Sequence, residues 1–241
     1  MNFFARNRSG KPFASRTFVR VLIVLVLFFA LSPLGAWYYF TAGNGSRMQW
    51  VFGSSCNSGS RPITMIYESD IQALGVGYTT AVATVMTQWN APGGSLVCPA
   101  ATCDPTNATY QRTMNRTAVA AFLANPTPNQ IWVVWDSDGS VLSANGIDPT
   151  GSILGVGQPL NLSASRPQDI CSGILFLNGT NIGSSIVFQR VLLHELGHVL
   201  GFAHSIAGNN NGTVSAATGP NLPAMFPFLY TNSPTTLSPD D

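Results

Sequence analysis

His194-Glu195-Leu196-Gly197-His198-Val199-Leu200-Gly201-Phe202-Ala203-His204 holds every histidine of the chain, spaced as H-E-x-x-H-x-x-G-x-x-H. On a helix, residues four apart share a face about 6 Å apart along the axis, so His194 and His198 present their imidazoles together. Glu195 is the next residue round, where its carboxylate reaches a water on a bound metal rather than the metal itself. Gly201 can take a positive φ, which ends the helix and turns the chain. That turn brings His204 in from outside the helix as a third ligand. Three protein ligands and an open fourth position mark a catalytic Zn2+ site rather than a structural one. The expected chemistry is hydrolysis of a peptide bond. Zinc lowers the pKa of a water to about 7, Glu195 takes its proton as general base, and the leaving amine receives it.

Working outward, Ser184 or Ser185 caps a helix that runs through Ile186, Val187, Val191, Leu192 and His194 to Leu200. Upstream, Pro62–Tyr67 alternates and is β-branched, which predicts a strand. Asp70 is the expected cap of the next segment. There Ile71, Leu74, Val82, Val85, Met86 and Trp89 form a helical stripe that starts in earnest near Tyr78 and stops at Asn90-Ala91-Pro92-Gly93-Gly94. Residues 95–116 are polar and read as a loop insertion. Thr117–Leu123 is a short helix, and Ile131–Trp135, 153–156 and 173–177 are strands. The expectation is one mixed α/β domain over residues 61–241, with a twisted mixed sheet, a long first helix and an active-site helix.

Charged residues make up only 9% of the chain, which suits an extracytoplasmic surface. Arg6, Arg8, Lys11, Arg16 and Arg20 precede an unbroken apolar run from Val21 to Leu31, and Trp37, Tyr38 and Tyr39 follow it. Basic residues before an apolar run predict export, with residues 1–42 as the targeting region. Two versions stay open. One is a cleaved signal peptide; the other is a membrane anchor over residues 21–40, long enough to span ~30 Å of hydrocarbon. Residues 43–60 read as a linker. Beyond residue 42, six Arg stand against ten acids, a formal −4. A mildly acidic domain offers no basic patch, so nucleic acid is excluded as a partner. A monomer acting on protein or peptide substrates is expected, either secreted or membrane-anchored.

An oxidising compartment makes disulfides of Cys56, Cys98, Cys103 and Cys171. Three pairings are open; Cys98 with Cys103 would close a small loop and leave Cys56 with Cys171. Sequons occur at Asn107 and Asn178. Asp136, Asp138 and Asp148 are candidate Ca2+ ligands, although a solvated turn explains Asp-Ser-Asp-Gly better.

With those residues in view, the stretch resembles the metzincin metalloproteases, whose zinc motif has this pattern. The resemblance implies a zincin-like fold with a methionine turn beneath the zinc. Pro223-Ala224-Met225-Phe226-Pro227, with Met225 21 residues after His204, is similar to that turn. Ser205 and Pro227 are similar to matrixins in particular. Pro227 stands where other metzincins carry a tyrosine ligand, so Tyr230 is not expected to bind metal. The matrixin likeness implies that Phe226, Pro227, Phe228 and Tyr230 wall an apolar substrate pocket. The chain also departs from that family's pattern. The loop from Ile131 to Ile153 has no histidine for the structural zinc of animal matrixins, and no long latency propeptide is expected. Leu237-Ser238-Pro239-Asp240-Asp241 reads as the start of a closing helix at which the chain is truncated. The alternative to an enzyme is a non-catalytic, zinc-stabilised cell-surface or adhesive domain; Glu195 argues against it, because stability needs the ligands and not the base.

Overall fold

The computed structural model describes residues 40–51, 56, 63–90, 109–160, 165–204, 224–225 and 235–237. Residues 1–39 of the expected export segment, Cys98, Cys103, Asn107, Ser205, Phe226, Pro227, Phe228, Tyr230 and Ser238–Asp241 lie outside the described residues, whereas the segment's last residues, 40–42, are described and dock on the domain. Among the described residues no helix is long and apolar enough to cross a membrane.

The strands are β1 (Gln49–Trp50), β2 (Thr64–Glu68), β3 (Thr109–Arg112), β4 (Gln130–Asp136), β5 (Gly155–Leu160), β6 (Asp169–Ile170) and β7 (Ser172–Asn178). The helices are α1 (Ser69–Ala73), α2 (Val76–Asn90), α3 (Arg116–Ala124), α4 (Ser140–Ala144) and α5 (Ser185–Val199). A five-stranded sheet has the order β3-β2-β4-β7-β5. Its first four strands are parallel, and β5 runs antiparallel to β7. This is a mixed α+β architecture.

β4 shows why the sheet sits where it does. Ile131, Val133 and Trp135 point to one face, Trp132 and Val134 to the other, and all five are buried. A strand covered on both sides needs a continuous apolar run, which is what the sequence has. On one face α2 and α5 pack through Val82, Val85, Trp89, Phe188, Leu192 and Leu196. On the other, Val119 and Phe122 of α3 and Val141 and Leu142 of α4 close a second cluster. Trp89 also donates its indole N–H to the Leu193 carbonyl at 3.2 Å, tying α2 to the middle of α5.

Several expectations need correction. Asp70 lies inside the first turn of α1, which Glu68 precedes without a side-chain cap. Glu68 is instead buried and accepts the Met114 and Trp135 amides at 3.0 and 2.7 Å. Burial pushes its carboxyl above the usual range, against the pull of those two N–H groups. Strand β3 falls within the segment read as a loop insertion and pairs with β2. The stretch read as a linker is docked over its described part. Thr41 bridges Arg47, β1 pairs with β6, and Cys56 is joined to Cys171 by a disulfide. Of the three open pairings, the structure has the one that clips this lead-in to the start of β7.

Candidate metal centre

Helix α5 carries two of the three histidines, and its ends explain their placement. Ser184 caps the start by accepting the Val187 amide at 3.3 Å. At the other end Gly201 has φ +100°, its N–H donates to His198 O at 2.9 Å, and Phe202 N–H donates to Gly197 O at 3.0 Å. This pair of bonds is a Schellman turn. Phe202 then stacks on Trp89, with ring centroids 5.6 Å apart. The turn swings His204 back over the helix, as the glycine spacing predicts.

The result is a cluster of three ring nitrogens. His198 Nε2 lies 3.1 Å from both His194 Nε2 and His204 Nε2. All three side chains lie close enough to hold one ion. The other nitrogens decide what this closeness means. His194 Nδ1 is 2.6 Å from the Ala224 carbonyl, and His198 Nδ1 is 2.8 Å from the Phe202 carbonyl. A carbonyl only accepts, so each Nδ1 must carry the proton. The Nε2 atoms of His194 and His198 then face one another with lone pairs and no hydrogen between them. Burial first, then neighbouring histidine charge, lowers the His194 pKa to about 3. Burial likewise lowers His198 to about 4, and it also lowers His204. The imidazoles are therefore neutral. Three nitrogens on a tetrahedral zinc, each about 2.0–2.1 Å from it, lie roughly 3.3 Å apart. The donor set fits such an ion in spacing, chemistry and protonation.

Glu195 lies beside this cluster and is buried. Its Oε2 accepts the Gly157 amide of β5 at 2.7 Å. Burial pushes its carboxyl up to about 8, opposed by that amide, so without a cation beside it this carboxyl holds a proton at neutral pH. A cavity of about 510 Å³ opens over the site. His194, Glu195, His198 and His204 form its base, and Ser152–Gly157 forms its wall.

Met225 is fully buried, and Ala224 beside it supplies the carbonyl that orients His194. A Cβ on Gly197 would run into the Met225 sulfur, so a larger residue there would make the methionine side chain shift. The lead-in segment braces the far end of α5. Phe40 N–H donates to Gly201 O at 3.0 Å, and Trp50 Nε1–H donates to Val199 O at 2.9 Å. The Phe40 ring lies 5.5 Å from the His198 ring.

Three glycines are parts of the site that motif reasoning misses. Besides Gly197, a Cβ at Gly155 would stand 2.6 Å from Val191 Cγ1 and 2.8 Å from Glu195 Cγ; one at Gly157 would overlap the Glu195 carbonyl. They let β5 press its backbone onto α5. Gly155-Val156-Gly157 was the available signal, since glycine inside a strand marks close backbone approach.

The candidate calcium ligands do not converge. Asp136 Oδ2 accepts the Leu142 amide at 2.8 Å and Asp138 Oδ1 the Ser140 amide at 2.9 Å. Asp148 Oδ1 accepts the Thr150 amide and hydroxyl at 2.9 and 2.7 Å. Those bonds to Thr150 hold Asp148 below the usual carboxylate range. Among the described residues, the three histidines are the one group of its kind close enough to hold an ion. No family model, curated protein or solved structure matches the chain.

Proposed function

We propose that the chain is a zinc-dependent endopeptidase of matrixin-like metzincin type, acting outside the cytoplasm. One observation carries the reading: two buried imidazoles with Nε2 lone pairs turned toward each other and toward His204, next to a buried carboxyl that opens onto the same cavity. A purely structural zinc would be closed by a fourth protein ligand, and it would not need Glu195. His194, His198 and His204 would hold the ion through Nε2. Zinc bound there supplies a Lewis acid that acidifies water and polarises a carbonyl.

The remaining chemistry belongs to Glu195 and β5. The Gly157 N–H fixes Oε2, which leaves Oε1 to take a proton from water and deliver it to the nitrogen of the breaking C–N bond. Water thus adds across that bond, OH to the acyl carbon and H to the amine. Strand β5 ends the sheet order, and its inner edge pairs with β7. The Leu154 and Leu160 carbonyls bond toward the β7 side, whereas Gly157 N–H points the opposite way. By the alternation of an antiparallel ladder, Gly155, Gly157 and Pro159 turn their backbone groups outward; the Gly157 N–H is taken by Glu195 and Pro159 has none, so it is chiefly the carbonyls that face an incoming chain. An extended peptide lying along this edge would pair with them and pass over the histidines.

The test is Glu195→Ala beside the parent protein, with zinc content measured on both. A loss of about 10²–10⁴-fold in peptide hydrolysis, with zinc retained, is expected from removing a general base. Equal hydrolysis by the two proteins would sink the mechanism. Absence of hydrolysis from the zinc-loaded parent would favour the adhesive, zinc-stabilised domain.

A further inference from the structure

We infer that Asn178 and Asn181 are positioning residues that shape the cavity wall over Ser152–Leu154, and so determine which peptide side chains the cavity accepts. This rests on the hydrolase reading only for the nature of the substrate.

Residues 149–154 connect α4 to β5 without regular structure of their own. A segment of this kind leaves carbonyls that need donors. Here the donors are side-chain amides. Asn178, the last residue of β7, is fully buried, and both of its Nδ2 hydrogens are used. One goes to Pro149 O and the other to Ile153 O, each at 2.9 Å. Asn181 Nδ2 donates to Gly151 O at 2.8 Å and Pro149 O at 3.2 Å. The Asn178 main-chain N–H adds a bond to Leu154 O at 2.9 Å. The carbonyls of Pro149, Gly151 and Ile153 thus converge on two amide groups. Asn178 is itself oriented, since its Oδ1 accepts from the Thr180 amide at 3.2 Å and from the Thr180 hydroxyl.

The consequence falls on the cavity. Ser152, Ile153 and Leu154 form the wall that continues into Gly155–Gly157 above Glu195. Ile153 is 39% exposed, so its aliphatic side chain is available to a ligand. The wall is anchored through its own carbonyls at one end and through the β5 ladder at the other. A side chain entering the cavity meets a surface whose position two asparagines set, although neither lines the cavity. The same geometry bears on the Asn178-Gly179-Thr180 sequon. Its acceptor nitrogen is buried and doubly bonded, so a glycan there is incompatible with this fold.

The experiment compares Asn181→Ala and Asn178→Asp with the parent, all zinc-loaded. The Asp variant keeps the shape but turns an oxygen toward two carbonyls. Binding of acetohydroxamate, which reaches only the metal, and of a leucine-containing peptide hydroxamate, which also meets the wall, is measured by calorimetry. Hydrogen exchange is followed at residues 151–154. The peptide hydroxamate should weaken about tenfold in Asn181→Ala, the scale of one or two lost hydrogen bonds. Acetohydroxamate and zinc binding should be unchanged, and exchange at the wall should quicken. Equal weakening of both probes would make the asparagines merely structural. Unchanged peptide-hydroxamate binding or unchanged exchange would overturn the inference. Should Asn178→Asp fail to fold, Asn181→Ala, altered at an exposed side chain, decides alone. Loss of the peptidase reading would look different: no hydrolysis by the parent, with the split between the two probes intact.

Discussion

The histidine cluster and the Asp136–Asn181 loop region are both rich in groups able to bind metal, yet they are opposites. At the histidines, backbone carbonyls take up both Nδ1 hydrogens and leave Nε2 lone pairs facing one another at 3.1 Å. In the loop region, each aspartate accepts nearby amides, and the converging carbonyls receive hydrogens from Asn178 and Asn181. A density of acidic residues therefore says little about metal binding. What matters is whether the donors and acceptors satisfy one another or leave a cavity of lone pairs that needs a cation.

The comparison can be attacked at several points. The strongest is His198→Ala, which removes the nitrogen shared by both short contacts. Zinc retention on dialysis and peptide hydrolysis should both fall to background; retained stoichiometric zinc would break the contrast. Next comes Gly157→Ala. Its new methyl group meets the Glu195 carbonyl, so a loss of about 1–3 kcal/mol from overpacking is expected in chemical denaturation, together with lower activity. Unaltered stability would mean that β5 does not press on α5 as described.

Acid provides the third test. The folded values of about 3 for His194 and about 4 for His198 lie below the ordinary 6.5. Between those limits the unfolded chain binds more protons, so metal-free stability falls as pH drops below about 6.5. Glu195, raised from 4.5 to about 8, works the other way: its contribution is present at acid pH and is lost as pH rises through about 8. Metal-free Glu195→Ala should therefore lose more stability between pH 7 and 5 than the metal-free parent does. Parallel pH profiles would count against this assignment. The smallest expected effect is at the loop. Asp148→Ala should leave zinc content unchanged and lower stability only slightly, because the bonds it loses to Thr150 lie at an exposed side chain. Millimolar calcium should not move Tm, and a calcium-dependent rise lost in Asp148→Ala would make the two regions alike after all.

Much of the histidine region could be read in the sequence because its determinants are local. The i, i+4 spacing, the Ser184 cap and the Gly201 turn act within a few residues of one another. The core face of α2 and the buried run of β4 follow from periodicity in the same way. What could not be read depends on partners distant in the chain. β3 is a short polar strand whose existence rests on pairing with β2, more than forty residues earlier. β1 and β6 have two residues each, too few to show a pattern, and they find each other across more than a hundred residues. For the aspartates of the loop region the turn reading, preferred to calcium, agrees with their bonds to local amides; what their neighbourhood does not show is that Asn178 and Asn181 reach the carbonyls of residues 149–153.

The Schellman turn at Gly201 has one more consequence. The carbonyl that fixes the His198 tautomer belongs to Phe202, and the one that fixes His194 belongs to Ala224. Zinc-binding histidines often rely on a carboxylate side chain for this purpose. Here the support is written into the main chain, where exchanging one side chain for another cannot delete it. A scan of alanine substitutions would pass over both supports in silence. Only a change that re-routes the backbone would expose them; replacing Gly201 with a residue intolerant of φ +100° would do so for the Phe202 carbonyl.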